Sequence, residues 1–340
     1  MSKVPRTISK TIFTMETHPT HVNLKKFQGA LLGTFVGDAL GMPVEGMDHD
    51  AILAKYEGPI RDMEPGRLRA GSYTDDTEMM IGLAEALADK GEVDCAVIGE
   101  RFVDNFHAER GYGPATKKVI AELQKGAKWD EPGRKVYDGA GSFGNGAPMR
   151  IAPLGCFFFD RLDMIREAAE ACSSITHTHP LGMEGGVVQA LAVALAVGMD
   201  PVKRFAPVEF ADILLNFTNK ADYLKPLASV REFLKRKKRP EVHEVVKVVG
   251  NDVKAYTSCP AAIYSFLRNW ASFELTVVYA VNLGGDTDTI GAMAGALAGG
   301  YHGVDAIPRR WLEALDNEGK GRDYVMELGK RLWETKSTKA

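Results

Sequence analysis

Residues 27–45 read FQGALLGTFVGDALGMPVE, and residues 284–301 read GGDTDTIGAMAGALAGGY. In the first stretch glycine returns every fourth residue, at Gly29, Gly33, Gly37 and Gly41; in the second it returns at Gly291, Gly295 and Gly299. Positions four apart share one face of an α-helix, so each series forms a bare ridge. A glycine inside a helix costs about 1 kcal/mol relative to alanine. The repetition therefore asks for a compensating gain, and close helix–helix approach supplies one. Both helices are expected at the crowded centre of the fold, where they help bring together two aspartate clusters far apart in sequence.

Working outward, helical periodicity dominates the chain. Apolar spacing places helices at about 25–41, 75–90, 93–107, 114–125, 148–158, 162–172, 180–198 and 208–217. It continues at about 221–236, 241–248, 257–270, 273–282, 288–302, 308–315 and 322–334. No Asn-Gly or Asp-Gly turn separates two alternating apolar runs, and nothing reads as a strand. Residues 23–336 are read as one all-α domain, because no linker divides them. Residues 1–22 lack periodicity and are read as a flexible N-terminal extension.

The bulk numbers exclude several partners. The 340 residues carry 42 basic and 45 acidic side chains, a net charge of −3 that gives no pull toward nucleic acid or an anionic membrane. Cys95, Cys156, Cys172 and Cys259 form no C-x-x-C pair and read as reduced thiols. The apolar stretches at 187–198 and 290–301 fall short of a membrane span, which needs roughly 20 residues. The N-terminus has no signal-peptide core. A cytoplasmic monomer without nucleic-acid or membrane partners is expected.

Chemistry concentrates in a few segments. Thr74-Asp75-Asp76-Thr77 opens one amphipathic helix and Asp286-Thr287-Asp288-Thr289 opens another. Either alone reads as a helix cap with acids in the first turn. Together they offer four carboxylates and several hydroxyls, hard oxygen donors that suit magnesium or manganese rather than zinc. Glu45 adds a fifth carboxylate on a loop past the first glycine-ridged helix. The segment Gly139-Ala140-Gly141-Ser142-Phe143-Gly144-Asn145-Gly146-Ala147-Pro148 can expose consecutive backbone N–H groups and feed a helix N-terminus, a cradle for a diphosphate. A plain glycine-rich loop is the other reading. Phe143 could stack on a base or pack inward. In Thr176-His177-Thr178-His179-Pro180 the two histidines do not share a helix face, so zinc is disfavoured; His177 could donate to an anion or serve the core. Lys235-Arg236-Lys237-Lys238-Arg239 reads as a solvated helix end, with a polyanion contact as the alternative.

These elements, in this order, resemble the ADP-ribosylglycohydrolase family (ADP-ribosyl-acceptor hydrolases). The resemblance runs from about Phe27 to Trp311 and is carried by GALLGTFVGDALGMPVE, YTDDTEM, GSFGNGAPMR, THTHPLG and GGDTDTIGAMAGALAGG. It implies an all-α orthogonal multi-helix bundle. It also implies two Mg²⁺ (or Mn²⁺) ions held by Thr74, Asp75, Asp76, Asp286, Asp288 and Thr289, with Glu45 approaching from a mobile loop. By the same resemblance Gly141, Ser142, Phe143, Gly144, Asn145, Gly146 and His177 bind ADP-ribose, with Phe143 on the adenosine side and Val253 in the adenosine pocket. The expected reaction releases ADP-ribose from a protein or from poly(ADP-ribose), with Glu45, Asp75 and Asp286 as the catalytic carboxylates. Gly111-Tyr112-Gly113 and residues 250–268 look like the branch acting on O-linked ADP-ribose: serine, poly(ADP-ribose) or O-acetyl-ADP-ribose. The THTHPLG and DDTEM motifs look closer to the arginine-specific branch, the nitrogenase-reductase-activating glycohydrolases. The O-linked reading is preferred and the arginine reading is the alternative. A non-catalytic, crystallin-like ADP-ribose-binding protein and a two-metal nucleotide phosphohydrolase are the remaining readings.

Overall fold

The computed structural model describes residues 22–339 of the chain, and the expected extension over 1–22 lies outside them except for Val22, which is buried. Among the described residues there are seventeen α-helices, short 3₁₀ turns and no strand; two isolated bridges, Asp48 with Gly284 and Gly144 with Lys254, are the only β-type pairings. The all-α fold expected from periodicity is what forms.

At its centre the Leu24–Gly41 helix packs antiparallel against the Thr287–His302 helix. Their glycines interlock in register. A Cβ built on Gly29, Gly33 or Gly37 would collide with the carbonyl oxygen of Gly299, Gly295 or Gly291 respectively, and one on Gly41 with that of Thr287. The two backbones touch directly, as the paired ridges required. Nearly every side chain on both helices is buried, so neither has a solvent face.

Around this pair sit the Asp75–Lys90, Pro180–Gly198, Ala255–Asn269 and Phe273–Val281 helices, with Arg322–Lys339 closing one side. The Pro180–Gly198 helix is long and apolar enough, by composition, to cross a membrane, which the shorter apolar run read from the sequence understated. In the structure 89% of its most apolar window is buried. Buried Lys26 donates to the carbonyls of Ala196, Val197 and Met199 and so caps its C-terminal end.

Several helix boundaries differ from the sequence reading. The expected helix at 93–107 is Cys95–Asp104, begun by Asp94, whose carboxylate accepts from Ala96 and Val97 N–H. The expected helix at 148–158 divides into a 3₁₀ turn, Pro148–Arg150, and Ala152–Phe157. The 162–172 helix likewise begins as a 3₁₀ turn, Leu162–Met164, before Ile165–Ser174. A short helix, His49–Lys55, was not expected; Asp48 caps it by accepting from Ala51 N–H. The basic run at 235–239 is a solvated face: Lys235 pairs with Glu232, Arg236 with Glu244 and Lys238 with Glu241.

Candidate metal centre and substrate cleft

Each aspartate cluster is shaped by the helix it opens. Thr74 caps the Asp75–Lys90 helix, its hydroxyl accepting from Asp76 N–H. Asp38, fully buried on the first glycine-ridged helix, accepts from the N–H groups of Thr74 and Thr77 and from Thr77 Oγ1, the last at 2.6 Å. The glycine helix thereby fixes the first cluster. In the second cluster Asp286 occupies the cap position of Thr287–His302, yet its carboxylate makes no capping bond. It is instead held by the side-chain amide of Asn145, while Asn251 O accepts from Asp286 N–H at 2.9 Å. The capping explanation holds for Thr74 and fails for Asp286. Asp288 is buried and accepts from Thr289 N–H, and Thr289 is buried beside it.

The register of the central helix pair carries the end of one beside the start of the other. Past Gly41 the chain runs through a 3₁₀ turn, Met42–Val44, to Glu45, and then pairs with the Gly284-Gly285 turn. Gly46 N–H donates to Gly285 O and Gly285 N–H to Met47 O, both at 2.8 Å. Gly284 and Gly285 have φ of +74° and +77°, a backbone that suits glycine. The Glu45 loop, expected to be mobile, is thus tied to the second cluster in this structure. One carboxylate oxygen each from Glu45, Asp286 and Asp288 lies within 4.8 Å of the others.

Crowding leaves its mark on protonation. Burial, followed by the charge of Asp288, raises Asp38 to about 7 and Asp286 to about 8. The same two causes push Asp75 and Asp76 well above the ordinary carboxylate range. Asp76 Oδ1 is buried without a hydrogen-bond partner. The one cation reaching the cluster among the described ion pairs is Arg67, which pairs with Glu45 and, at 3.1 Å, with Asp288. An orphaned buried carboxylate oxygen, an all-oxygen donor set and mutually raised acids together fit divalent cations of the magnesium or manganese type.

Against this cluster lies the glycine-rich loop. Asn145 N–H donates to Val253 O and Ala255 N–H to Phe143 O, both at 3.0 Å, so the loop is laced to residues 253–255. Asn145 also donates to Ser258 Oγ, and Ser142 Oγ accepts from Gly144 N–H. Gly141, at φ +74°, turns the chain where any side chain would strike Thr178. A Cβ on Gly146 would lie 2.5 Å from His177 Cε1, so only glycine lets the loop rest on that ring. What the loop feeds is the single 3₁₀ turn Pro148–Arg150, a correction to the expected longer helix N-terminus.

His177 is 3% exposed, and burial, helped by the charge of Arg150, pushes it down to about 3. It is therefore a neutral ring near pH 7. Its Nδ1 faces Thr176 Oγ1 at 2.7 Å; an Nδ1 that accepts there leaves the proton on Nε2, the nitrogen nearer Gly144. Phe143 is half-exposed, edge-on to His179 with centroids 5.5 Å apart and tilted toward Tyr256. Val253 is exposed across the Gly144–Lys254 bridge from it.

Sequence reasoning passed over three residues at this centre. Asp38 left a signal, since a lone acid among apolar neighbours on a glycine-ridged helix must be buried. Arg67 and Asn251 left none, because each sits on an aperiodic loop. A separate cavity of about 500 Å³ lies behind the first cluster, against Tyr73, Glu78, His107 and Arg110. Glu78 is already engaged there by His107, Arg110 and Tyr112, and none of the clustered acids lines that cavity.

The family profile described as ADP-ribosylglycohydrolase matches residues 19–340. The chain belongs to the ADP-ribosylglycohydrolase family. It is 33% identical to the ADP-ribosylhydrolase ARH3 of Gallus gallus over 344 residues, covering 89% of this chain and 93% of that protein. It is 35% identical over 319 residues to an uncharacterized protein of Archaeoglobus fulgidus, covering 91% of this chain and 96% of that one. A solved structure described as an ADP-ribosylglycohydrolase-related protein complex superposes with a TM-score of 0.68 at 30% identity, covering 92% of this chain and 98% of that one. As an ADP-ribosylglycohydrolase the chain is a hydrolase, which sets aside the non-catalytic reading.

Proposed function

We propose that the chain hydrolyses the bond between ADP-ribose and an O-linked acceptor, on protein serine, poly(ADP-ribose) or O-acetyl-ADP-ribose, releasing ADP-ribose. The observation that carries this reading is the approach of Glu45, Asp286 and Asp288 to within 4.8 Å, beside the orphaned Asp76 Oδ1 and a glycine loop suited to a diphosphate. ARH3 relatives named as ADP-ribosylhydrolases support the reaction class. Thr74, Asp75, Asp76, Asp286, Asp288, Thr289 and Glu45 would hold two Mg²⁺, or Mn²⁺. Such ions, when bound, would supply Lewis acidity and lower the pKa of water in the site.

The remaining work falls to the chain. The N–H groups of Gly141, Gly144 and Asn145 are engaged within the fold, so those of Ser142, Phe143 and Gly146 hold the diphosphate, with neutral His177 donating from beneath. Phe143 and Val253 receive the adenosine. Asn145 fixes the Asp286 carboxylate. Glu45, partly exposed at the rim of the cluster, moves the proton between water and the departing acceptor oxygen. Bond cleavage builds oxocarbenium-like charge on the ribose, which the surrounding carboxylates favour.

The YTDDTEM and THTHPLG motifs favour arginine-linked ADP-ribose as a second reading. The proposed setting is a cytoplasmic monomer, supported as to compartment by four free thiols. The test incubates the protein with serine-linked, arginine-linked and poly(ADP-ribose) substrates, each with magnesium, manganese and chelator. Metal-dependent release of ADP-ribose from O-linked substrates is expected. Release of AMP, or full turnover after thorough chelation, would overturn the reading.

A further inference from the structure

The glycine loop touches the acid cluster on the Asp286 side, through Asn145. A different group meets it on the Asp288 side. There the Arg67 guanidinium bridges Glu45 and Asp288, reaching Asp288 Oδ2 at 3.1 Å. A Cβ on Gly111 would come within 2.5 Å of Arg67 Nη2, and Gly111 has φ +98°, so the chain leaves the guanidinium a slot that a side chain there would fill. Burial grades outward across the site. The Asp288 side chain is 4% exposed, whereas those of Arg67 and Glu45 are 33% and 36% exposed. Arg67 therefore stands where the cluster opens to solvent, against the carboxylate assigned to proton transfer with the leaving group. An acceptor departing past Glu45 departs past Arg67.

We propose that Arg67 is a specificity-determining residue on the acceptor side, a fixed positive charge that admits neutral oxygen-linked acceptors and rejects guanidinium-linked ones. The inference rests on the ADP-ribosyl hydrolase reading above. A guanidinium joined to ADP-ribose keeps its positive charge, so it would meet a like charge and compete with Arg67 for Glu45 and Asp288. A serine oxygen carries no charge and meets neither penalty. Like charges brought together at a recognition site cost enough to discriminate partners.

The test replaces Arg67 by Ser, by Gln and by Lys, and measures kcat and KM on one peptide bearing ADP-ribose on serine or on arginine. Affinity for free ADP-ribose, which lacks an acceptor, is measured alongside by calorimetry. Arg67→Ser and Arg67→Gln should each raise the arginine-to-serine ratio of kcat/KM by at least about tenfold, chiefly by lowering KM for the arginine linkage. Arg67→Lys should keep the wild-type ratio, and all three variants should still bind free ADP-ribose. An unchanged ratio in a variant that still binds ADP-ribose overturns the proposal, as does a Lys variant that shifts as far as Ser. If neither linkage is cleaved, the reaction reading falls, and the ratio of the two substrates' affinities in each variant still decides the role of Arg67.

Discussion

Thr287 Oγ1 donates a 2.8 Å hydrogen bond to the carbonyl oxygen of Gly41, joining the last turn of one glycine-ridged helix to the first turn of the other. Glu45 follows a few residues after that junction, and Asp286 and Asp288 flank it. The placement of these three carboxylates and the packing of the two backbones therefore share one contact.

The glycine interlock predicts a destabilisation that runs against helix propensity. Gly33→Ala would set a methyl group 2.7 Å from the Gly295 carbonyl carbon. It should lower stability in denaturant melts by about 2 kcal/mol or more, despite the roughly 1 kcal/mol that alanine gains in a helix. Gly99→Ala is the contrast, since its nearest neighbour, Trp129 Cβ, would be an ordinary 3.6 Å away. That substitution should stabilise by about 0.5–1 kcal/mol. Equal effects from the two would contradict the packing account.

Asp76→Asn should act in opposite directions with and without metal. Asp76 is buried among like charges and its Oδ1 has no partner. Neutralising it should raise the melting temperature of chelated protein and reduce the further rise that magnesium gives. Saturating magnesium should stabilise the wild type by about 2.7 kcal/mol at a hundredfold excess over Kd. A wild-type melting curve indifferent to magnesium would refute metal binding here.

For Glu45→Gln the expected loss is in kcat, by about 10²–10⁴-fold, as for removal of a general acid–base group. Its KM and its calorimetric affinity for ADP-ribose should change little. A variant with wild-type kcat would remove Glu45 from proton transfer.

His177 predicts a pH dependence of stability. Its folded value of about 3 lies below the ordinary 6.5, so between those values the unfolded chain binds one proton more. The stability it confers is complete above pH 6.5 and is lost as pH falls toward 3. Wild-type stability should therefore fall, relative to His177→Gln, by about 1.4 kcal/mol per pH unit below that point. Parallel curves for the two proteins from pH 7 to pH 5 would show that His177 is not held neutral.

Much of the site was legible because its chemistry is encoded by residue type in short runs. Asp75 and Asp76 sit at a helix start, and Gly141 to Gly146 crowd into one loop. Asp286 looked like a cap because it occupies the cap position of its helix; only the tertiary structure shows its carboxylate held by the Asn145 amide instead. Arg67 was invisible because nothing local marks a loop arginine that meets Glu45 and Asp288 across the fold. The division at Ile151 and the short His49–Lys55 helix escaped for a smaller reason: boundaries turn on single caps and on a proline such as Pro153 that supplies no N–H.

By itself the sequence determined that this chain is helical, that two of its helices must touch backbone to backbone, and which oxygen donors are available. Those properties are local, set by spacing along the chain and by what each side chain can do. Tertiary structure decided the register in which Gly41 meets Thr287, and through it the approach of Glu45 to Asp286 and Asp288. It also decided that Arg67 alone, among the described ion pairs, answers that charge. Such relations depend on distances across the fold between residues that no sequence period connects.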